Sequence, residues 1–217
     1  MLFKDIKPTM LIDISCSEED LWKNIDRSRR KNVNRAKREG LKFKEGNSEE
    51  IAYFYNNIYK KVWEDGGTIA ESFESILNKI KNGHKFYVVE IGLDIIGGAI
   101  VGEETKGRLN FSIVGSNPKY SELRPTDFMY WNLILIGKRE NKKFVDFNGY
   151  QLNARGHLEG VNRFKSMWGG KIHIDYVFSK NPFYILGRKV YRNMWFIRPI
   201  VDILRGRKLK QFAPDNN

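Results

Sequence analysis

The sequence predicts an α/β (α+β) protein built on one mixed, largely antiparallel β-sheet flanked by helices. From Leu41 onward the segments read strand, helix, helix, three strands, helix, strand, helix, strand. The three middle strands are joined by turns too short for crossovers, which excludes a doubly wound parallel sheet. A length of 217 residues, 41% of them hydrophobic, supplies one full core and leaves little for a second complete domain.

Taken in order, MLIDIS (Met10 to Ser15) reads as a short strand. Ser17 then caps a helix, with Asp20 in the capping-box position and Glu18 and Glu19 where the helix dipole favours acids. This helix is expected to run to about Glu39 and to stop at Gly40. Its apolar stripe of Trp22, Ile25, Val33 and Ala36 passes through position 29. Arg29 is therefore expected to face inward or into a cleft, while Arg27, Arg30, Lys31, Arg35 and Arg38 lie outward. LKFKE follows as a strand, and SEEIAYFYNNIYKKVWEDGG and IAESFESILNKIKNG follow as helices. HKFYVVEI, IIGGAIVGE and RLNFSIVG are successive antiparallel strands, the first two joined by a turn at Gly92 to Asp94. After the loop SNPKYSELR, Pro125 suits the first turn of a helix reaching about Glu140. KKFVDF is a strand, GHLEGVNRFKSMW a helix and KIHIDYVF the last strand. The chain thus divides into an N-terminal strand and basic helix (1–40), a body (41–180) and a basic, aromatic helical tail (181–217).

The net charge of +12 is uneven. Arg27 to Lys44 carries +8 and Lys180 to Asn217 carries +7, leaving the remainder at −3. Two basic attachments on a near-neutral body point to anionic partners: phosphates, nucleic acid or lipid headgroups. Cys16 stands alone, which excludes a disulfide framework and agrees with a reducing, cytoplasmic setting. His84, His157 and His173 lack ligand-like spacing, so no metal site is expected. MLFKDIKPTM has no signal-peptide apolar run, and no stretch reaches the ~18 apolar residues of a membrane span, so a soluble or at most peripheral protein is expected.

RRKNVNRAKREGLKF, FSIVGSNPKYSELRPTDFMYWNLI, FVDFNGY and GVNRFKSMWGG occur in this order between Pro8 and Phe178. Together they resemble the FemAB/FemX family of peptidoglycan bridge-forming aminoacyltransferases and its single-domain relatives with the GNAT (acyl-CoA N-acyltransferase) fold. The resemblance implies that residues 41–180 form a GNAT-like transferase domain. It implies an enzyme that forms an amide on an amine of a peptidoglycan precursor or related cell-surface glycan. An uncharged amine attacks an ester or thioester carbonyl, and a lysine beside the carbonyl oxygen stabilises the charge that develops there. By resemblance that catalytic lysine is Lys165, with Phe164 shaping the pocket, and Gly169 and Gly170 ending the helix or letting backbone pass close. Spacing alone makes Lys165 a solvated helix lysine whose stem covers Trp168. Arg29 and Arg30 resemble the family's arginine pair at the acceptor cleft, where a guanidinium fork matches a diphosphate or carboxylate. Tyr150 and Arg155, in the loop after VDFNG, are candidate contacts to acceptor or donor. Asp146 is either a base toward the incoming amine or, as its place at a strand end favours, a residue that holds the following loop by hydrogen bonds.

Two departures qualify the resemblance. GNAT proteins that use CoA commonly present Q/R-x-x-G-x-G/A where this chain has GSNPKYSELRPTD. The missing phosphate cradle favours aminoacyl-tRNA over acyl-CoA as donor substrate, and no tightly bound cofactor is expected. Full Fem enzymes also pair two GNAT-like domains. Here the second is absent, supplied by a partner such as a homodimer mate, or made unnecessary by a different acceptor. Phe183, Tyr184, Tyr191, Trp195 and Phe196 alternate with basic residues from Arg188 to Lys210, which suits peripheral contact with the inner membrane face and a lipid-linked precursor. It suits equally a tail packed on the domain. Two other functions fit the same sequence: an acyl-CoA-dependent N-acyltransferase acting on an amino sugar in surface polysaccharide biosynthesis, and a non-catalytic RNA-binding or scaffolding module.

Overall fold

A computed structural model of the chain describes residues 2–65 and 70–193. Seven strands, β1 (Phe3–Asp13), β2 (Lys42–Glu45), β3 (Lys85–Ile91), β4 (Asp94–Thr105), β5 (Arg108–Ser116), β6 (Phe144–Asp146) and β7 (Lys171–Ser179), form one sheet in the order β2-β3-β4-β5-β6-β1-β7. Only β5 and β6 pair in parallel, so the sheet is mixed and largely antiparallel, as expected. The helices are α1 (Glu18–Asn24), α2 (Arg27–Arg38), α3 (Ser48–Phe54), α4 (Lys60–Asp65), α5 (Phe73–Lys81), α6 (Pro125–Arg139), α7 (His157–Ser166) and α8 (Pro182–Asn193). A π turn, Tyr55–Tyr59, joins α3 to α4, and a 3-10 turn, Pro118–Leu123, precedes α6.

Alternation along the strands divides the interior into two cores. Tyr87 and Val89 of β3 join Val33 and Ala36 of α2, Met129 and Leu133 of α6, and Trp168. Phe86 and Val88, from the other face of the same strand, join Ile51, Phe54, Ile58 and Ile76. The sheet is therefore a middle layer with helices on both faces.

At the N-terminus the structure departs from the sequence reading in two ways. The first strand does not start at Met10: β1 begins at Phe3 and lies between β6 and β7, so the N-terminal strand shares one sheet with the body. Pro8 would normally argue against an interior strand. It is accommodated because β1 pairs with β6 only from Leu11 to Asp13, and at Pro8 the chain pairs with β7 alone. The second departure is that the expected single helix is two. Ile25 is extended, and the Asp26 carboxylate accepts from the Ser28 N–H at 2.7 Å to start α2 afresh. The Asp26 N–H in turn donates to the Met167 carbonyl at 2.9 Å, which fixes α2 against the end of α7.

At the other end, α8 docks through Ile185, and the Arg188 Nε donates to Asp5 Oδ2 at 3.0 Å. The sequence reading of the tail beyond Asn193, which includes Trp195, Phe196 and the basic run to Lys210, lies outside the described residues. No described helix is long and apolar enough to cross a membrane.

Candidate active site

The parallel pair creates the feature on which the site is built. Strands β5 and β6 are in register only over Arg108–Phe144, Leu109–Val145 and Asn110–Asp146. Beyond that, β5 continues to Ser116 while the chain leaves β6 at Phe147, so the two diverge like a fork. At the crotch Asn148 takes a positive φ of 56° and its Nδ2 donates to the Phe111 carbonyl at 2.9 Å.

Helix α7 brings Lys165 to this turn. The Lys165 Nζ donates to the Asn148 and Gly149 carbonyls, both at 2.7 Å. An ammonium has three N–H donors, and the third has no acceptor among the described residues. Burial pushes the Lys165 pKa down to about 8, with Asp146 pulling the other way. Lys165 is thus not the solvated helix lysine that spacing suggests. Asn162, one turn earlier on α7, clamps the loop to the helix: its Oδ1 accepts from the Gln151 N–H at 3.2 Å and its Nδ2 donates to the Gln151 carbonyl at 2.8 Å. Gly169, with φ of 79°, ends the segment where only glycine is at ease.

Asp146 is buried, accepts from the Thr9 hydroxyl, and accepts from the Asn148 N–H at 2.8 Å. These bonds hold the loop that follows it, and the Arg108 guanidinium stands 4.0 Å away. Phe164 packs edge-on against Tyr130, with centroids 5.1 Å apart, and against Trp168 at 6.2 Å. Trp168 is 1% exposed.

Arg29 faces inward, as its stripe predicts. Its Nη1 meets Asp127 Oδ1 at 2.9 Å, and its guanidinium lies over the Phe164 ring at 5.3 Å. Asn32 donates to the other Asp127 oxygen at 3.0 Å. Burial pushes the Asp127 pKa up, against the pull of Arg29 and Asn32. Arg29 is therefore set over Phe164, and Lys165, the next residue on α7, lies within the influence of Asp146. Arg30 is half-exposed in the first turn of α2, Tyr150 packs against the main core with its N–H on the Pro8 carbonyl at 2.9 Å, and Arg155 is exposed on the loop. Sequence reasoning missed Asp127, Tyr130, Asn148 and Asn162. Only Asn148 carried a visible signal, the Asn-Gly turn dipeptide.

The FemAB family model matches residues 4–94, from β1 into the start of β4. The crystal structure of FemX superposes with a TM-score of 0.69 at 15% identity, covering 85% of this chain and 63% of that one. Over residues 4–94 the chain is similar to the FemAB family. It spans less than two thirds of the length of FemX. The C-terminal domain of a putative lysylphosphatidylglycerol synthetase from Agrobacterium fabrum superposes with a TM-score of 0.58 at 14% identity, covering 88% of this chain and 66% of that one. A GCN5-related glucosamine N-acetyltransferase region in a fungal multi-domain GH3 β-N-acetylglucosaminidase gives 0.53 at 11% identity, over 82% of this chain and 21% of that one. The fold is accordingly GNAT-like. No curated protein matches the chain. The family match covers Arg29 and Arg30 and stops well before Lys165.

Proposed function

We propose that the chain is an aminoacyltransferase that forms an amide on an amine of a peptidoglycan precursor or related cell-surface glycan, with aminoacyl-tRNA as donor. The observation that carries this is the Lys165 ammonium, drawn out of water onto two carbonyls at a strand fork with one donor left over. The neutral acceptor amine attacks the ester carbonyl, and its lone pair forms the new C–N bond. Charge moves to the carbonyl oxygen, where Lys165 meets it. The ester C–O bond then breaks, the hydroxyl of the donor leaves with a proton, and the amine nitrogen loses one. Asp146, already engaged by Thr9 and Asn148, serves by holding the turn rather than as a base. Arg29 is committed to Asp127, so Arg30 is the freer partner for an acidic acceptor group, with Tyr150 and Arg155 on the adjoining loop.

The start of α6 supports a donor other than acyl-CoA. Its first turn carries the buried acid Asp127, and the segment before it is a 3-10 turn rather than a glycine-rich cradle, a poor seat for pyrophosphate. The exposed faces of Arg27, Lys31 and Arg38 on α2 suit a polyanionic donor. Phe183, Tyr184 and Leu186 of α8, exposed at 79%, 51% and 57%, support peripheral contact with the cytoplasmic membrane face and hence a lipid-linked acceptor. A homodimer is one way to supply what FemX has beyond the matched length.

The test offers labelled aminoacyl-tRNA and acyl-CoA separately, with amine-bearing peptidoglycan precursors, nucleotide amino sugars and phosphatidylglycerol vesicles as acceptors, and weighs the products by mass spectrometry. Product from aminoacyl-tRNA alone is expected. Product from acyl-CoA alone would favour the second reading, an amino-sugar N-acyltransferase, which the glucosamine N-acetyltransferase neighbour supports. No product with any pair would leave a non-catalytic RNA-binding module. Lys165→Ala is expected to slow transfer by roughly 10²- to 10³-fold, the usual loss on removing an oxyanion donor, while the protein stays folded. Full transfer by Lys165→Ala sinks the assignment.

A further inference from the structure

The hydrogen bonds around the fork converge on a residue that no motif points to. Every polar group of Asn148 is engaged. Its N–H donates to Asp146 at 2.8 Å, its carbonyl accepts from Lys165 at 2.7 Å, its Nδ2 donates to the Phe111 carbonyl at 2.9 Å, and its Oδ1 faces the Asn110 amide at 3.5 Å. We propose that Asn148 is the positioning residue of the site: it holds the carbonyls on which Lys165 rests and closes the strand fork behind them. The inference rests on the reading of Lys165 as the group that meets the acyl carbonyl.

Three points carry it. Phe111 is the first β5 residue past the last β5–β6 pair, Asn110 with Asp146. Its carbonyl lies where a continuing parallel strand would offer a backbone N–H, and the Asn148 side chain supplies that donor instead. Next, the turn requires a positive φ at position 148. Glycine meets that requirement as well as asparagine does, so the backbone alone does not call for an amide; the bond to Phe111 does. Finally, the Asn148 carbonyl is one of only two acceptors recorded for the Lys165 ammonium among the described residues. Movement of this turn therefore moves Lys165, and opening the fork admits more water to a cation that is now partly desolvated.

Asn148→Gly isolates the side chain, because it keeps the turn conformation. Asn162→Ala is the control: it loosens the same loop at Gln151 without touching the fork. The pH dependence of Lys165 acetylation by trace acetic anhydride, followed by peptide mass spectrometry on the free protein, reads the lysine directly and needs no substrate. The wild-type midpoint is expected near 8. With Asn148→Gly it is expected to rise by about one unit or more, while Asn162→Ala leaves it in place. In the transfer assay Asn148→Gly should lower kcat by about tenfold or more with KM within about twofold, the pattern of a misplaced transition-state donor. Asn148→Ser, whose hydroxyl is too short to span to Phe111, repeats the reading if Asn148→Gly does not fold. An unmoved midpoint in the folded Asn148 variants, or an equal rise in Asn162→Ala, overturns the proposal. If Lys165→Ala retained transfer, the catalytic reading would fail, yet the labelling would still report whether Asn148 governs Lys165.

Discussion

Arg29 and Lys165 are partly buried cations at Phe164, one over its ring and the other next to it in the chain, and the fold treats them in opposite ways. Arg29 has a carboxylate, Asp127, at 2.9 Å, and a ring face beneath it. Lys165 has two carbonyl dipoles, and Asp146 acts on it only at longer range while bonded to Thr9 and Asn148. A buried charge is tolerated when it is paired and hydrogen-bonded. Arg29 meets both conditions and Lys165 meets only the second. The difference separates a cation that holds α2 to α6 from one whose charge no carboxylate neutralises at hydrogen-bond distance among the described residues.

The largest perturbation removes what the two have in common. Trp168 is 1% exposed and packs on Tyr130 and Phe164, and its Nε1 has no hydrogen-bond partner among the described residues. The indole therefore contributes by packing alone. Trp168→Ala is expected to cost about 3 to 5 kcal/mol in urea unfolding, with Trp168→Phe retaining much of the difference. If Trp168→Ala cost under about 1 kcal/mol, the shared platform would not exist.

The next perturbation separates the pair. Arg29→Ala leaves Asp127 buried with Asn32 as its remaining hydrogen-bond partner and Arg124 acting at longer range, and is expected to cost about 3 kcal/mol. Adding Asp127→Asn should recover a good part of that loss, because the stranded charge goes with it. Lys165→Ala strands no charge, and its stability should stay within about 1 kcal/mol of wild type. Equal losses from the two substitutions would erase the distinction.

The sequence made one half of this arrangement more legible than the other. Periodicity located the strands and helices because half-buried elements write their exposed and buried faces into the chain. It set Arg29 on an apolar stripe, and that reading survives the helix break because Arg29, Val33 and Ala36 all lie within α2. The break itself was hidden because Asp26 and Ser28 look like ordinary members of a polar helix face until Asp26 is seen capping Ser28. The start of β1 was hidden for a different reason: Pro8 and the charged residues around it resemble a loop, and only pairing with β7 reveals the strand. Lys165 could be singled out only by resemblance, since its pKa is depressed by burial in the folded protein and its hydrogen bonds run to Asn148 and Gly149, sixteen or more residues away in sequence. Long-range hydrogen bonds of this kind leave no periodic trace.

The smallest expected effect tests the unpaired state of Lys165 through pH. Its pKa is about 8 in the folded protein against the ordinary lysine value of 10.5. Between those values the unfolded chain holds the proton more often than the folded one, so stability rises with pH across that window. Below about 8 both states are protonated and the cost of burying the ammonium is fully present; above 10.5 it is gone. Other groups titrate here too, so the quantity to measure is the stability of wild type minus that of Lys165→Met between pH 7.5 and 10.5. That difference is expected to move in favour of wild type by on the order of 2 kcal/mol, somewhat less than the full shift implies because Lys165 is only half-buried. Arg29→Met should show no such slope, since a guanidinium does not titrate in this range. A flat difference for Lys165→Met would mean that the ammonium is solvated after all, and the contrast between the two cations would reduce to their partners alone.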